Sequence, residues 1–145
     1  MTRTILLLVS ATLGAHPSVT PGLISQVIQI ESSGRASVLG DNGAARGLAQ
    51  FHQAAWLDCS AWRAARGLPV FPYASATHPE RARAYLHSWL TLNAERFQRT
   101  TGRSPTGADL YAIHNLGFSG YAQREFDLSR CPAITRRKAA QMTQR

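Results

Sequence analysis

Apolar residues recur at helical spacing in several stretches of this 145-residue chain. In the first, Leu23, Ile24, Val27, Ile28 and Ile30 mark one buried face. Thr20-Pro21 stands just before them, a capping hydroxyl followed by a proline suited to the first helical position. The helix so predicted fails at Ser32-Ser33-Gly34 and leaves Glu31 on its last turn. Backbone carbonyls converge at that end, where a negative carboxylate is disfavoured.

Residues 35–45 are turn-rich, with Gly40-Asp41-Asn42-Gly43 as the tightest signal, and a small hairpin over residues 36–50 is compatible with them. A second helix is predicted from about Gln53. The segment from Gly67 to Tyr73 reads as a loop, because Pro69 and Pro72 break either regular structure. From Pro79 to Thr101 the positions Ala82, Leu86, Trp89, Leu90, Asn93 and Phe97 again recur at three and four, with Gly102 as the stop. Thr106 and Asp109 are spaced as a capping box ahead of a short helix through Leu110, Tyr111 and Ile113, and a last short helix follows Pro132. No alternating strand stands out. The expectation is one mainly α domain over residues 16–145.

Composition changes this picture little: 44% hydrophobic and 17% charged residues indicate a globular chain, and the length suits a single core. The first fifteen residues differ. A basic start at Arg3, an apolar run from Ile5 to Val9 and small residues up to Ala15 follow the order of a secretory signal, 1–15, which implies export to the periplasm or beyond. The alternative is an apolar segment packed on the domain. The run is too short to span a membrane, which takes about 20 residues.

Export would favour pairing of the two cysteines, Cys59 and Cys131, and closing so long a loop stabilises by roughly 4 kcal/mol in the chain-entropy model. Two buried thiols are the other reading. The spacing fits no metal-binding or redox motif, so neither metal nor cofactor is expected. The formal charge of +8 permits an anionic partner. Yet the arginines are scattered, without interleaved aromatics, so a nucleic-acid partner is not expected.

Eight acidic residues occur in the chain, and most have ordinary explanations: Glu80 in a first turn, Asp109 in a cap, Glu95 among arginines. Glu31 taken alone is a common helix-end carboxylate. Its companions in sequence alter that. Glu31-Ser-Ser-Gly is followed by Gly47-Leu-Ala-Gln50-Phe51 and later by His114-Asn115-Leu-Gly117. In this order the chain resembles the lysozyme-like lytic transglycosylases and their small relatives in phage and secretion systems, over roughly residues 20–121. The family pattern is helix–Glu-Ser, Gly-x-x-Gln before an apolar residue, and then Tyr-Asn-x-Gly.

The resemblance implies a lysozyme-like fold with helices around a glycan-binding groove, and cleavage of the MurNAc–GlcNAc β-1,4 bond of peptidoglycan. Glu31 would serve as general acid and then base. Ser32 would support its loop, Gly47 would be a tight-packing glycine, and Gln50 and Asn115 would line the groove. His114 stands where the family commonly has Tyr, and Tyr111 lies one turn earlier, so either is a candidate for that role. His52 and Trp56 read as groove wall or core.

Glycosidases generally use two carboxylates. The family resembled here does without the second, because the sugar's own 6-hydroxyl attacks and leaves a 1,6-anhydro end. Asp41 is the one candidate for a second acid, against the simpler role of a turn residue. A hydrolytic lysozyme, a non-catalytic wall-binding module and a basic nucleic-acid binder are the competing readings. The small size suits a monomer that cuts locally, as a secretion, conjugation or phage apparatus needs.

Overall fold

The computed structural model describes residues 16–142 and is mainly helical. Its helices are α1 (Pro21–Ser32), α2 (Gln53–Ala64), α3 (Pro79–Thr101), α4 (Gly107–Ala122) and α5 (Ala133–Ala139). A two-stranded antiparallel sheet, β1 (Leu39–Gly40) and β2 (Ala45–Arg46), lies between α1 and α2, with Leu39 opposite Arg46 and Gly40 opposite Ala45. The signal-like segment 1–15 lies outside the described residues. Among those described, no helix is long and apolar enough to cross a membrane.

Local chemistry sets the helix ends. Thr20 Oγ1 accepts from the Leu23 N–H at 3.1 Å, and Pro21 occupies the first turn. At the other end Ser33 adopts a left-handed conformation (φ 54°) and its N–H closes onto the Gln29 carbonyl, so α1 stops directly after Glu31-Ser32. The Thr106–Asp109 capping box forms in both directions at the start of α4. Gly102, at φ 75°, ends α3 as expected.

The 23-residue helix α3 is the spine of the core. It packs on α2, where the Trp56 and Tyr85 rings stack with centroids 3.6 Å apart and an interplanar angle of 9°. Trp56 is therefore core rather than groove. Phe97, Leu90 and Leu86 continue the same face toward α4, whose Leu110, Tyr111 and Ile113 are fully buried. In the first turn of α4, Asp109 is buried and accepts hydrogen bonds from Arg103, Thr106 and Tyr121. Burial alone would raise its pKa, but these bonds outweigh burial and hold it below the usual carboxylate range.

Two sequence expectations need correcting. Helix α4 does not end near Ile113 but runs to Ala122, interrupted at Gly117 (φ 76°, ψ 159°). The glycine breaks the turn geometry, and the burial of Tyr121 with its bond to Asp109 draws the chain back into a helix beyond it. Nor are the cysteines paired: Cys59 and Cys131 are separate buried thiols. Cys59 Sγ points at the Tyr85 carbonyl (3.5 Å) on α3, whereas Cys131 Sγ points at the Asp127 carbonyl (3.6 Å) beyond α4.

Candidate functional site

The last turn of α1, the hairpin and its following loop, the middle of α4 and the end of α5 surround a polar cavity of about 250 Å³. Glu31, Asp41, Gln50, His52, His114, Asn115 and Lys138 line it. Glu31 is half-buried there, and the hydroxyl of Tyr111 donates to its Oε1 at 2.6 Å. Burial and then the neighbouring Glu31 push the phenol's pKa well above its ordinary value, so Tyr111 keeps its proton and remains a donor. The bond holds one oxygen of Glu31 in place.

The loop opposite is built with little freedom. Gly47 sits at φ 76°, and a Cβ there would fall 1.7 Å from the Ala76 carbonyl oxygen, so the backbones meet at a point where only glycine fits. Gln50 turns inward. Its Nε2 donates to the Val38 and Gly47 carbonyls at 3.1 and 3.0 Å, so its amide clamps the loop to the hairpin while its side chain borders the cavity. Ring Nε2 of His114 donates to the Ala49 carbonyl at 2.8 Å, tying α4 to this loop. A carbonyl can only accept, which fixes the proton on Nε2 and leaves Nδ1 as an acceptor. Desolvation lowers the His114 pKa, against the opposing pull of Glu31, so the ring is neutral at pH 7.

Asn115 is exposed, and its Oδ1 accepts from Thr135 Oγ1 at 2.7 Å. That bond holds α5 beside the cavity and, three residues on, brings Lys138 to its rim. On the other side His52 Nε2 lies 2.9 Å from Asp41 Oδ2, with both side chains more than half exposed. Asp41 itself has φ 48° and precedes two further left-handed residues, Asn42 and Gly43.

The structure thus gathers Glu31, Gln50, Tyr111, His114, Asn115 and Asp41 in one place. Ser32 does not join them. It is buried and returns its hydroxyl to the Ile28 carbonyl of its own helix at 3.1 Å, which supports the end of α1 but leaves nothing to contact a ligand. Sequence reasoning missed Lys138, whose one distinguishing mark is that it is the single lysine among sixteen basic residues.

A second, less polar cavity of about 430 Å³ adjoins the first and shares Gln50, His52, His114 and Asn115 with it. Trp89, Phe51, Ala55 and Leu116 complete much of its wall. Glu31 and Asp41 lie on the wall of the polar cavity, and Asp58 on that of the less polar one. Among the described residues, no three His, Cys, Asp or Glu side chains gather as a metal site. Comparison with protein-family models, curated proteins and solved structures found no match, so the site rests on its own geometry.

Proposed function

We propose that this chain is a lysozyme-like enzyme that cleaves peptidoglycan glycan strands at the MurNAc–GlcNAc β-1,4 bond, with Glu31 as general acid and then base. The observation that carries the reading is the Tyr111–Glu31 hydrogen bond at the wall of the polar cavity. A carboxyl group held by a phenol that cannot ionise has a fixed orientation, which proton transfer to a leaving oxygen requires. In this scheme Glu31 protonates the glycosidic oxygen as the bond to the anomeric carbon breaks. The Glu31 carboxylate then takes the proton of the MurNAc 6-hydroxyl, whose oxygen bonds to the same carbon and closes a 1,6-anhydro ring. No water enters. The neutral amides Gln50 and Asn115 border the path of the sugar, and peptidoglycan is the partner.

A hydrolytic variant has one observation in its favour: Asp41 lines the same cavity as Glu31, with His52 beside its carboxylate. It would direct a water to the anomeric carbon. One experiment tests both routes. Purified peptidoglycan is digested with wild type and with Glu31→Gln, and the products are weighed. The transglycosylase route predicts products one water lighter than those of hydrolysis, and none from Glu31→Gln. Reducing ends, lost in Asp41→Asn, would establish the hydrolytic route instead. Equal clearing by Glu31→Gln removes Glu31 from the chemistry.

A further inference from the structure

A charge is costly to keep out of water unless an opposite charge sits beside it. Among the described residues two charged side chains are buried, Asp109 and Arg63. Asp109 has its counter-charge in Arg103 at 2.8 Å. Arg63, at the end of α2 and 6% exposed, has none. Its Nε donates to the Pro69 carbonyl at 2.8 Å, and its Nη1 to the Ala84 carbonyl and Ser88 Oγ at 3.2 and 2.6 Å. The Tyr85 ring lies 4.8 Å from the guanidinium carbon. Every one of these partners is neutral. Nη2 bonds to nothing among the described residues, yet the sealed side-chain atoms without a partner belong to Trp89, Asn93 and His114. Arg63 therefore keeps one donor edge open, and the residue lines a cavity of about 450 Å³ between the end of α2, the loop after it and the start of α3. Arg81, His78 and Glu80 complete the charged and polar wall. Arg81 donates from Nη1 to Ser75 Oγ at 2.9 Å and lies over the Phe71 ring at 4.4 Å. Glu80 joins no ion pair among the described residues. Two guanidinium groups thus outnumber one carboxylate. Helix α3 starts here without a side-chain cap from His78, so its N–H end adds to the positive field.

We propose that this cavity binds a small organic carboxylate, whose oxygens accept from Arg63 and Arg81 and whose apolar body rests on Phe71, Pro69 and Ala84. The flat N–H edge of a guanidinium matches the two oxygens of a carboxylate. Phosphate fits the same edge, but its second charge would stand against Glu80 and its hydrated surface against apolar walls. A neutral amide or alcohol would leave Arg63 without a counter-charge. The inference is independent of the glycan reading, because this cavity shares no wall residue with the two beside Glu31.

The test titrates the full-length, ¹⁵N-labelled protein with phenylacetate, phenylacetamide and inorganic phosphate, and follows the backbone amide signals of Phe71 and Ala84. Phenylacetate should shift both signals to saturation. Phenylacetamide, the same shape without the charge, should leave them in place. Arg81→Gln should weaken phenylacetate binding about tenfold or more, the loss of a charge-assisted hydrogen bond. Glu80→Gln should tighten it, because the one opposing charge is gone. Arg63→Lys keeps the charge but loses the planar edge, and should weaken binding as well. Thermal unfolding shows whether that variant stays folded, and where it does not, Arg81→Gln carries the test. No response to phenylacetate, an equal response to phenylacetamide, an unchanged affinity in Arg81→Gln or tighter binding of phosphate overturns the proposal. So does a Glu80→Gln protein that melts lower and binds no tighter, which would make Glu80 itself the counter-charge of Arg63.

Discussion

The phenol of Tyr111 and the carboxyl of Glu31, eighty positions apart in the chain, meet at 2.6 Å. Helix α4 delivers the first from the core and α1 presents the second at its carbonyl end. Removing the hydroxyl frees Glu31 to rotate without removing its acid. Tyr111→Phe should therefore lower kcat by about 10- to 100-fold, the worth of a hydrogen bond to a charged group, and change KM little. Turnover of peptidoglycan and thermal unfolding, measured together, separate this positioning effect from loss of fold.

The lowered pKa of His114 makes a prediction about acid stability. Above the ordinary value of 6.5 both folded and unfolded states carry the ring neutral, and its contribution to stability is fully present. As the pH falls below that value the unfolded chain takes up the proton first. Stability then declines until the lower folded value is passed. His87, partly buried beside Arg63, shifts in the same direction for the same first cause, desolvation. Urea unfolding at pH 7.5 and 5.0 should show this loss, and His114→Gln should reduce the difference between the two conditions. An unchanged difference would place the acid sensitivity elsewhere.

Gly47→Ala should destabilise by at least about 2 kcal/mol, through both a strained φ and a clash with backbone rather than a movable side chain. A melting temperature lowered by about 5 °C or more is the expected reading. Gly34→Ala is the control. That residue has a similar φ of 78°, but a Cβ there meets nothing within 4 Å, so only the conformational part of the penalty applies.

Two free thiols should be counted in the unfolded protein without a reductant. In the native state burial pushes the Cys59 pKa up to about 12 and raises that of Cys131. Neither should react appreciably with iodoacetamide at pH 8, because the thiolate is the reactive form. A mass two hydrogens short, or no thiols after unfolding, would restore the disulfide expected from the sequence.

Features encoded within one turn of chain were legible in the sequence. Thr20-Pro21, Gly102 and the Thr106–Asp109 pair marked helix ends because caps are local chemistry, and Gly40-Asp41-Asn42-Gly43 marked the hairpin because few residues tolerate its backbone. The extent of α4 was not legible. Gly117 interrupts its geometry, and the packing that restores the helix beyond it comes from Tyr121 and Asp109. That Glu31, Gln50, His114 and Asn115 would line one cavity follows from the fold, and their side-chain directions were not legible. Ser32 and Gln50 bond to nearby backbone, a preference that competes with any ligand and depends on rotamer. Lys138 and Trp89 reach the two cavities only through helix packing, which no spacing in the sequence records.

The break at Gly117 divides α4 between two duties. Tyr111, His114 and Asn115 precede it and border the cavities or hold Glu31, whereas Tyr121 follows it and anchors on Asp109. A helix without the break would lock both groups into one rotational phase, so that any change in the cavity wall would turn the anchor as well. With the phase reset at residue 117, the two halves form separate mutational neighbourhoods. A substitution scan along α4 should accordingly show its activity losses before the glycine and its stability losses on both sides of it. The cavity wall ahead of residue 117 can thereby be altered without turning the Tyr121 anchor behind it.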